Sequence, residues 1–155
     1  MSYLHNHFEA PILHRDLKSL NLLINHPVKG SEDIIDTKIT DFGLSREDGK
    51  LNEMKTENTG TYHWMAPEVM DSQPYTFKAD VYSYAVVLFE IITRTTPYPG
   101  MTGAQIASRV VGKGERPDLN QVPMDCPEAL KGLMVQSWDQ DQDLRPTFEE
   151  VIRVL

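Results

Sequence analysis

Asp16, Lys18 and Asn21, within His14-Arg15-Asp16-Leu17-Lys18-Ser19-Leu20-Asn21, place a carboxylate, an ammonium and an amide close together in the chain. Those offsets suit phosphoryl transfer to a hydroxyl. Asp16 can accept the proton of an incoming hydroxyl, and Lys18 can neutralise charge growing on the moving phosphoryl group. Asn21 can hold a magnesium ion through its amide oxygen. Further on comes Asp41-Phe42-Gly43, with an acid at the end of a short strand, placed to take the other side of the metal. Either motif alone reads equally well as a turn with a solvated carboxylate. Their order and spacing together make a site.

A third motif, Ala66-Pro67-Glu68, closes the polar stretch that follows. With all three in order, the chain resembles the C-terminal lobe of a eukaryotic protein kinase. Two longer runs, Lys38-Ile39-Thr40-Asp41-Phe42-Gly43-Leu44 and Gly60-Thr61-Tyr62-His63-Trp64-Met65-Ala66-Pro67-Glu68-Val69, are similar to the mixed-lineage kinases of the tyrosine-kinase-like group, as is the connection 27–33. The resemblance implies a mainly α fold: a helical bundle around a buried central helix, with a short β-hairpin carrying the catalytic and metal-binding loops. It implies that residues 1–155 are that lobe alone, with the N-lobe absent, starting at the end of the helix before the catalytic loop.

The resemblance also implies an activity, transfer of the ATP γ-phosphate to a protein hydroxyl. ATP and Mg²⁺ are then the cofactors, with Asp16 as base, Lys18 on the phosphoryl group, and Asn21 and Asp41 on the metal. Lys18, two residues after the base, is the serine/threonine pattern, with tyrosine left open as a second acceptor. His14, Phe42, Thr61, Glu68, Asp80 and Arg145 become structural supports. Thr61 would bond the catalytic aspartate and lysine, Asp80 would accept backbone N–H groups of the catalytic loop, and Arg145 would pair with Glu68. Arg15 can pair with a phosphate added to the polar stretch, where Thr56, Thr59 and Ser45 are the candidate acceptors.

These residues need a frame. Leu22-Leu23-Ile24 and Thr37-Lys38-Ile39-Thr40 read as two short strands. Residues 77–93 are apolar on nearly every face, which predicts a buried helix, with Asp80 the oddity near its start. Residues 102–111 and 127–138 read as amphipathic helices, the first followed by the turn-rich run 112–117. Thr147 and Glu150 form a capping box, and Phe148, Val151, Ile152 and Leu155 give the last helix an apolar stripe.

Composition narrows the classes. A chain of 155 residues, 40% hydrophobic and 25% charged, suits one domain with a sizeable core. A formal charge of -8 argues against a nucleic-acid partner. The single cysteine, Cys126, excludes an internal disulfide framework and reads as a small buried hydrophobe. No export signal is expected at the start, and the longest apolar run, 85–92, carries Glu90, so neither a membrane partner nor a spanning helix is expected and the cytoplasm is the expected location.

A complete kinase also needs a Gly-rich phosphate loop, a strand lysine and a helix glutamate ahead of the catalytic loop. Only thirteen residues precede His14 here. Two readings stand. In one, the chain is the catalytic lobe of a serine/threonine kinase, inactive in isolation and completed by an N-lobe or other kinase chain. In the other, it is a non-catalytic lobe that binds substrates or kinase partners and competes with full-length relatives.

Overall fold

The computed structural model describes residues 1–30, 32–47 and 62–155. Thr56, Thr59 and Thr61 lie outside the described residues.

The helix at the centre, α3 (Lys78–Thr93), is flanked by α1 (Ser2–Asn6), α2 (Pro67–Met70), α4 (Gly103–Lys113), α5 (Glu128–Ser137) and α6 (Phe148–Val154). Val81, Tyr82, Ala85 and Val86 of α3 are wholly buried. Their all-round apolarity lets α3 serve two cores at once. On one side Tyr82, Ala85, Val86 and Phe89 pack with Trp64, Ile106, Val110, Met134 and Trp138. On the other, Val81 joins Leu17, Leu133, Phe148 and Val151. Leu17 brings the functional loop directly onto this second core.

Local chemistry sets the helix limits. Phe77 caps α3 rather than opening it, and the helix stops at Arg94, a non-glycine residue in the left-handed region at φ 56°. Thr102 and Gln105 form a capping box at the start of α4. That helix continues through Gly112 and Lys113, residues expected in a turn, and ends at Gly114 with φ 64°, a conformation glycine adopts without a Cβ penalty. Pro127 and Trp138 fall just outside α5 as its caps. Thr147 and Glu150 cap α6 reciprocally.

Among the described residues the β structure is small: two two-stranded antiparallel ribbons. In the first, β2 (Leu22–Ile24) pairs with β3 (Thr37–Ile39), Leu23 facing Lys38. The second joins β1 (Ile12–Leu13) to β4 (Arg46–Glu47) and has no counterpart in the sequence reading, since two-residue strands carry no readable period.

Two expectations need correction. Cys126 is only partly buried, its Sγ next to the Pro127 carbonyl. It sits in a loop before α5, where little packs over it. The apolar stripe of α6 and its C-cap is half covered: Phe148 and Val151 are buried in the second core, while Ile152 and Leu155 are exposed.

Candidate functional site

Asp80, 1% exposed, is the fixed point from which the site is built. Its Oδ2 accepts the His14 N–H and its Oδ1 the Arg15 N–H, both at 2.8 Å. His5 Nε2, on α1, lies 3.0 Å from the same Oδ2. A carboxylate taken out of water needs such donors. In return it holds the turn in which Arg15 adopts φ 69°. That turn points the next residue, Asp16, into the site.

Asp16 is 3% exposed, and its two oxygens differ. Oδ2 accepts from Lys18 Nζ at 2.6 Å and from Asn21 Nδ2 at 3.1 Å. Oδ1 is buried and has no hydrogen-bond partner among the described residues. Asn21 Nδ2 also donates to the Asp16 carbonyl at 2.8 Å, so the amide nitrogen is committed to Asp16 and the amide oxygen is the end left for another ligand. Asp16, Lys18 and Asn21 thus form one bonded group.

His14 ties this group to the second motif. It is fully buried, and its Nε2 lies 3.0 Å from the Thr40 carbonyl. A carbonyl only accepts, so Nε2 carries the proton, and Nδ1 is then free to accept the Asp16 N–H at 3.4 Å. Thr40 N–H donates to the Asn21 carbonyl at 2.9 Å. Asp41 follows immediately in the left-handed region at φ 66°, and Phe42 meets the His14 ring edge-on at 4.9 Å. Asp41 and Phe42 are both exposed. Asp41 and Asn21 offer hard oxygen donors of two kinds, carboxylate and amide, from adjoining backbone. That donor set fits a magnesium ion, which takes few protein ligands and keeps water or phosphate oxygens for the rest.

Arg15 Nη1 donates to the Leu44 carbonyl at 3.2 Å, and its guanidinium lies 5.7 Å from the Tyr75 ring centre. Ser45 Oγ donates to the His14 carbonyl at 3.4 Å. Away from the loop, Arg145 and Glu68 make a two-pronged ion pair at 2.6 and 2.7 Å. Arg145 is buried; it also donates to the Asp139 and Lys78 carbonyls and stacks over Tyr82.

Sequence reasoning missed several members of this assembly. His5 gave no signal beyond being a histidine in a short helix. Thr40 acts through its backbone, which no side chain announces. Glu90 did leave a trace, as the acid that interrupts an apolar run. It is half-buried on α3 and accepts from Ser19 Oγ at 3.1 Å and Trp64 Nε1 at 2.8 Å. Burial holds its carboxyl above the usual carboxylate range, with those two hydrogen bonds pulling the other way.

The family described as protein tyrosine and serine/threonine kinase matches residues 1–155. Serine/threonine-protein kinase STY17 of Arabidopsis thaliana is 44% identical over 156 residues, which cover 100% of this chain and 25% of that protein. Serine/threonine/tyrosine-protein kinase HT1 of Arabidopsis thaliana is 43% identical over 155 residues, 100% of this chain and 36% of the relative. Mitogen-activated protein kinase kinase kinase 11 of Rattus norvegicus is 41% identical over 157 residues, 100% of this chain and 18% of the relative. The chain therefore spans about a third or less of the length of these curated relatives.

Proposed function

The chain belongs to the protein tyrosine and serine/threonine kinase family, with relatives of the tyrosine-kinase-like type, and on that premise we propose that residues 1–155 are the C-terminal, catalytic lobe of a protein serine/threonine kinase. The observation that carries this reading is Asp16, a buried carboxylate with one oxygen bonded to Lys18 and Asn21 and the other without a partner among the described residues. A binding module has no chemical need for a group so arranged.

Asp16 Oδ1 accepts the proton of a protein hydroxyl as that oxygen attacks the γ-phosphorus of ATP. The bond from phosphorus to the bridging oxygen breaks, and ADP leaves with the electron pair. Lys18 faces the charge that develops on the phosphoryl oxygens. Asn21 and Asp41 would hold Mg²⁺, which when bound neutralises phosphate charge. His14 and Asp80 act through the backbone, keeping Asp16 aimed. Phe42 braces the second motif against His14, and the Glu68–Arg145 pair braces the helices below. In this reading Arg15 is the group to receive a phosphate on Thr56 or Thr59, and Thr61, outside the described residues, would add to the support of Asp16 and Lys18.

Leu20, Leu23, Ile24, Phe42 and Leu44 are exposed around these loops. Exposed apolar side chains flanking the catalytic groups in the chain are the kind of surface a second body covers, and a nucleotide-binding lobe carrying the phosphate loop is the body this reading calls for. Such a kinase would act in the cytoplasm; among the described residues no helix is long and apolar enough to cross a membrane.

Calorimetry of Mg-ATP binding to the 155-residue chain, alongside a radiolabelled transfer assay with and without a nucleotide-binding lobe attached, tests the reading. Transfer is expected only with the lobe, and weak nucleotide binding without it. An assembled domain that binds Mg-ATP but transfers nothing would overturn the catalytic reading in favour of a competing, non-catalytic lobe.

A further inference from the structure

Trp64 is held at both ends by one face of α3. Ser83 Oγ donates to its carbonyl at 2.8 Å, and its indole Nε1–H donates to Glu90 Oε2 at 2.8 Å. The other oxygen of Glu90 accepts from Ser19 Oγ at 3.1 Å. Ser19 directly follows Lys18, and the Asn21 N–H donates to the Lys18 carbonyl at 3.0 Å, so the turn that presents Lys18 to Asp16 also contains Ser19. A single carboxylate on the central helix therefore joins the loop of the phosphoryl-transfer residues to the segment that enters Ala66-Pro67-Glu68. Both bonds are charge-assisted when Glu90 is ionised, and Trp64 is buried.

An acid is an expensive residue for this purpose. Glu90 loses part of its hydration on a helix otherwise committed to apolar packing, and burial already disfavours its charged form. What the side chain offers is length and two acceptors set apart, enough to reach Ser19 and Trp64 at once.

We propose that Glu90 is a positioning residue that clamps the Lys18–Asn21 turn to Trp64, so that the aim of Lys18 on the transferring phosphoryl group depends on where the Trp64 segment sits. The consequence for rate rests on the kinase reading above; the clamp itself does not.

Two measurements separate them. In the 155-residue chain, the Trp64 indole N–H resonance, assigned by its loss in Trp64→Phe, reports the clamp directly. Glu90→Ala should move it and speed its exchange about tenfold, as expected for a lost bond to a charged acceptor. Ser19→Ala, which leaves α3 untouched, should shift the same resonance from the far side of the carboxylate. Glu90→Gln, whose amide oxygen can accept from Trp64 and whose amide nitrogen can donate to Ser19 Oγ, should restore it. In the domain with a nucleotide-binding lobe attached, Glu90→Ala should lower kcat about tenfold with KM for ATP within about twofold of the parent, and Glu90→Gln should recover most of the loss. An indole signal indifferent to both Ser19→Ala and Glu90→Ala overturns the clamp. A clamp seen in the spectrum with kcat unchanged in Glu90→Ala overturns the positioning role. A parent domain that transfers no phosphate at all defeats the kinase reading instead, and the indole resonance still decides the clamp.

Discussion

At Asp16 the two carboxylate oxygens have different surroundings, one bonded to Lys18 and Asn21 and one bare among the described residues, and this division is what a positioned base requires. Asp16→Asn keeps the size and the hydrogen-bonding shell but removes the proton acceptor. In the domain completed with a nucleotide-binding lobe, that change should lower transfer by about 10²–10⁴-fold while circular dichroism and the unfolding midpoint stay close to the parent. Transfer surviving the substitution would remove Asp16 from the role of base.

Glu90 makes a prediction in pH. Burial raises its carboxyl in the folded chain, so the folded state binds that proton more tightly than the unfolded state does. The stability tied to the proton is fully present below the unfolded pKa and is lost as pH rises through the folded value. Neutral pH therefore leaves an ionised, half-buried group that Glu90→Gln does not have. Urea denaturation should show the variant with the higher midpoint at about pH 7 and the difference closing near about pH 4. A gap that widens on acidification would reverse the sign and contradict the assignment.

Among the elements, α3 does the most. It carries Asp80 to the functional loop, Ser83 and Glu90 to Trp64, and Tyr82 beneath Arg145. The Arg145–Glu68 pair fastens α2 to the stretch before α6, and burial of the guanidinium makes that fastening intolerant of half-removal. Arg145→Met, which strands Glu68, should cost about 3–5 kcal/mol. Adding Glu68→Gln should return part of that loss, since the stranded charge is then gone. Guanidinium unfolding of the two single variants and the double variant measures both. Additive losses would show that the pair has no coupling to lose.

On the scale of the whole molecule, the functional loop is tied to the helical body through Asp80 and Leu17, while Leu20, Leu23, Phe42 and Leu44, near the motifs in the chain, are exposed. The Arg15 guanidinium reaches the Leu44 carbonyl and the Tyr75 ring, contacts a phosphate group would outcompete by charge-assisted bonds. Phosphorylation at Thr56 or Thr59 should raise the transfer rate of the assembled domain. In Thr56→Ala/Thr59→Ala the rate should no longer respond to phosphatase treatment; a response that persists would place the regulatory phosphate elsewhere.

The amino-acid sequence by itself determined the family and named the groups proposed to carry its chemistry. Asp16, Lys18, Asn21 and Asp41 are polar groups at fixed offsets, and the apolar run around Val86 could only be a buried helix. Capping chemistry at Thr102 and Thr147 was equally local, and hence legible. What only the tertiary structure decided is everything joined across long loops. His5 meets Asp80, Trp64 meets Glu90 and Ser19, and the Thr40 backbone meets His14 and Asn21. The two-residue ribbon of β1 and β4 belongs with these. Such contacts depend on how distant segments fold back on α3, and no period or spacing within a segment encodes a partner many turns of chain away. The partial exposure of Cys126 and Ile152 follows from the same cause: residue type states what a side chain favours, and only packing decides whether anything covers it.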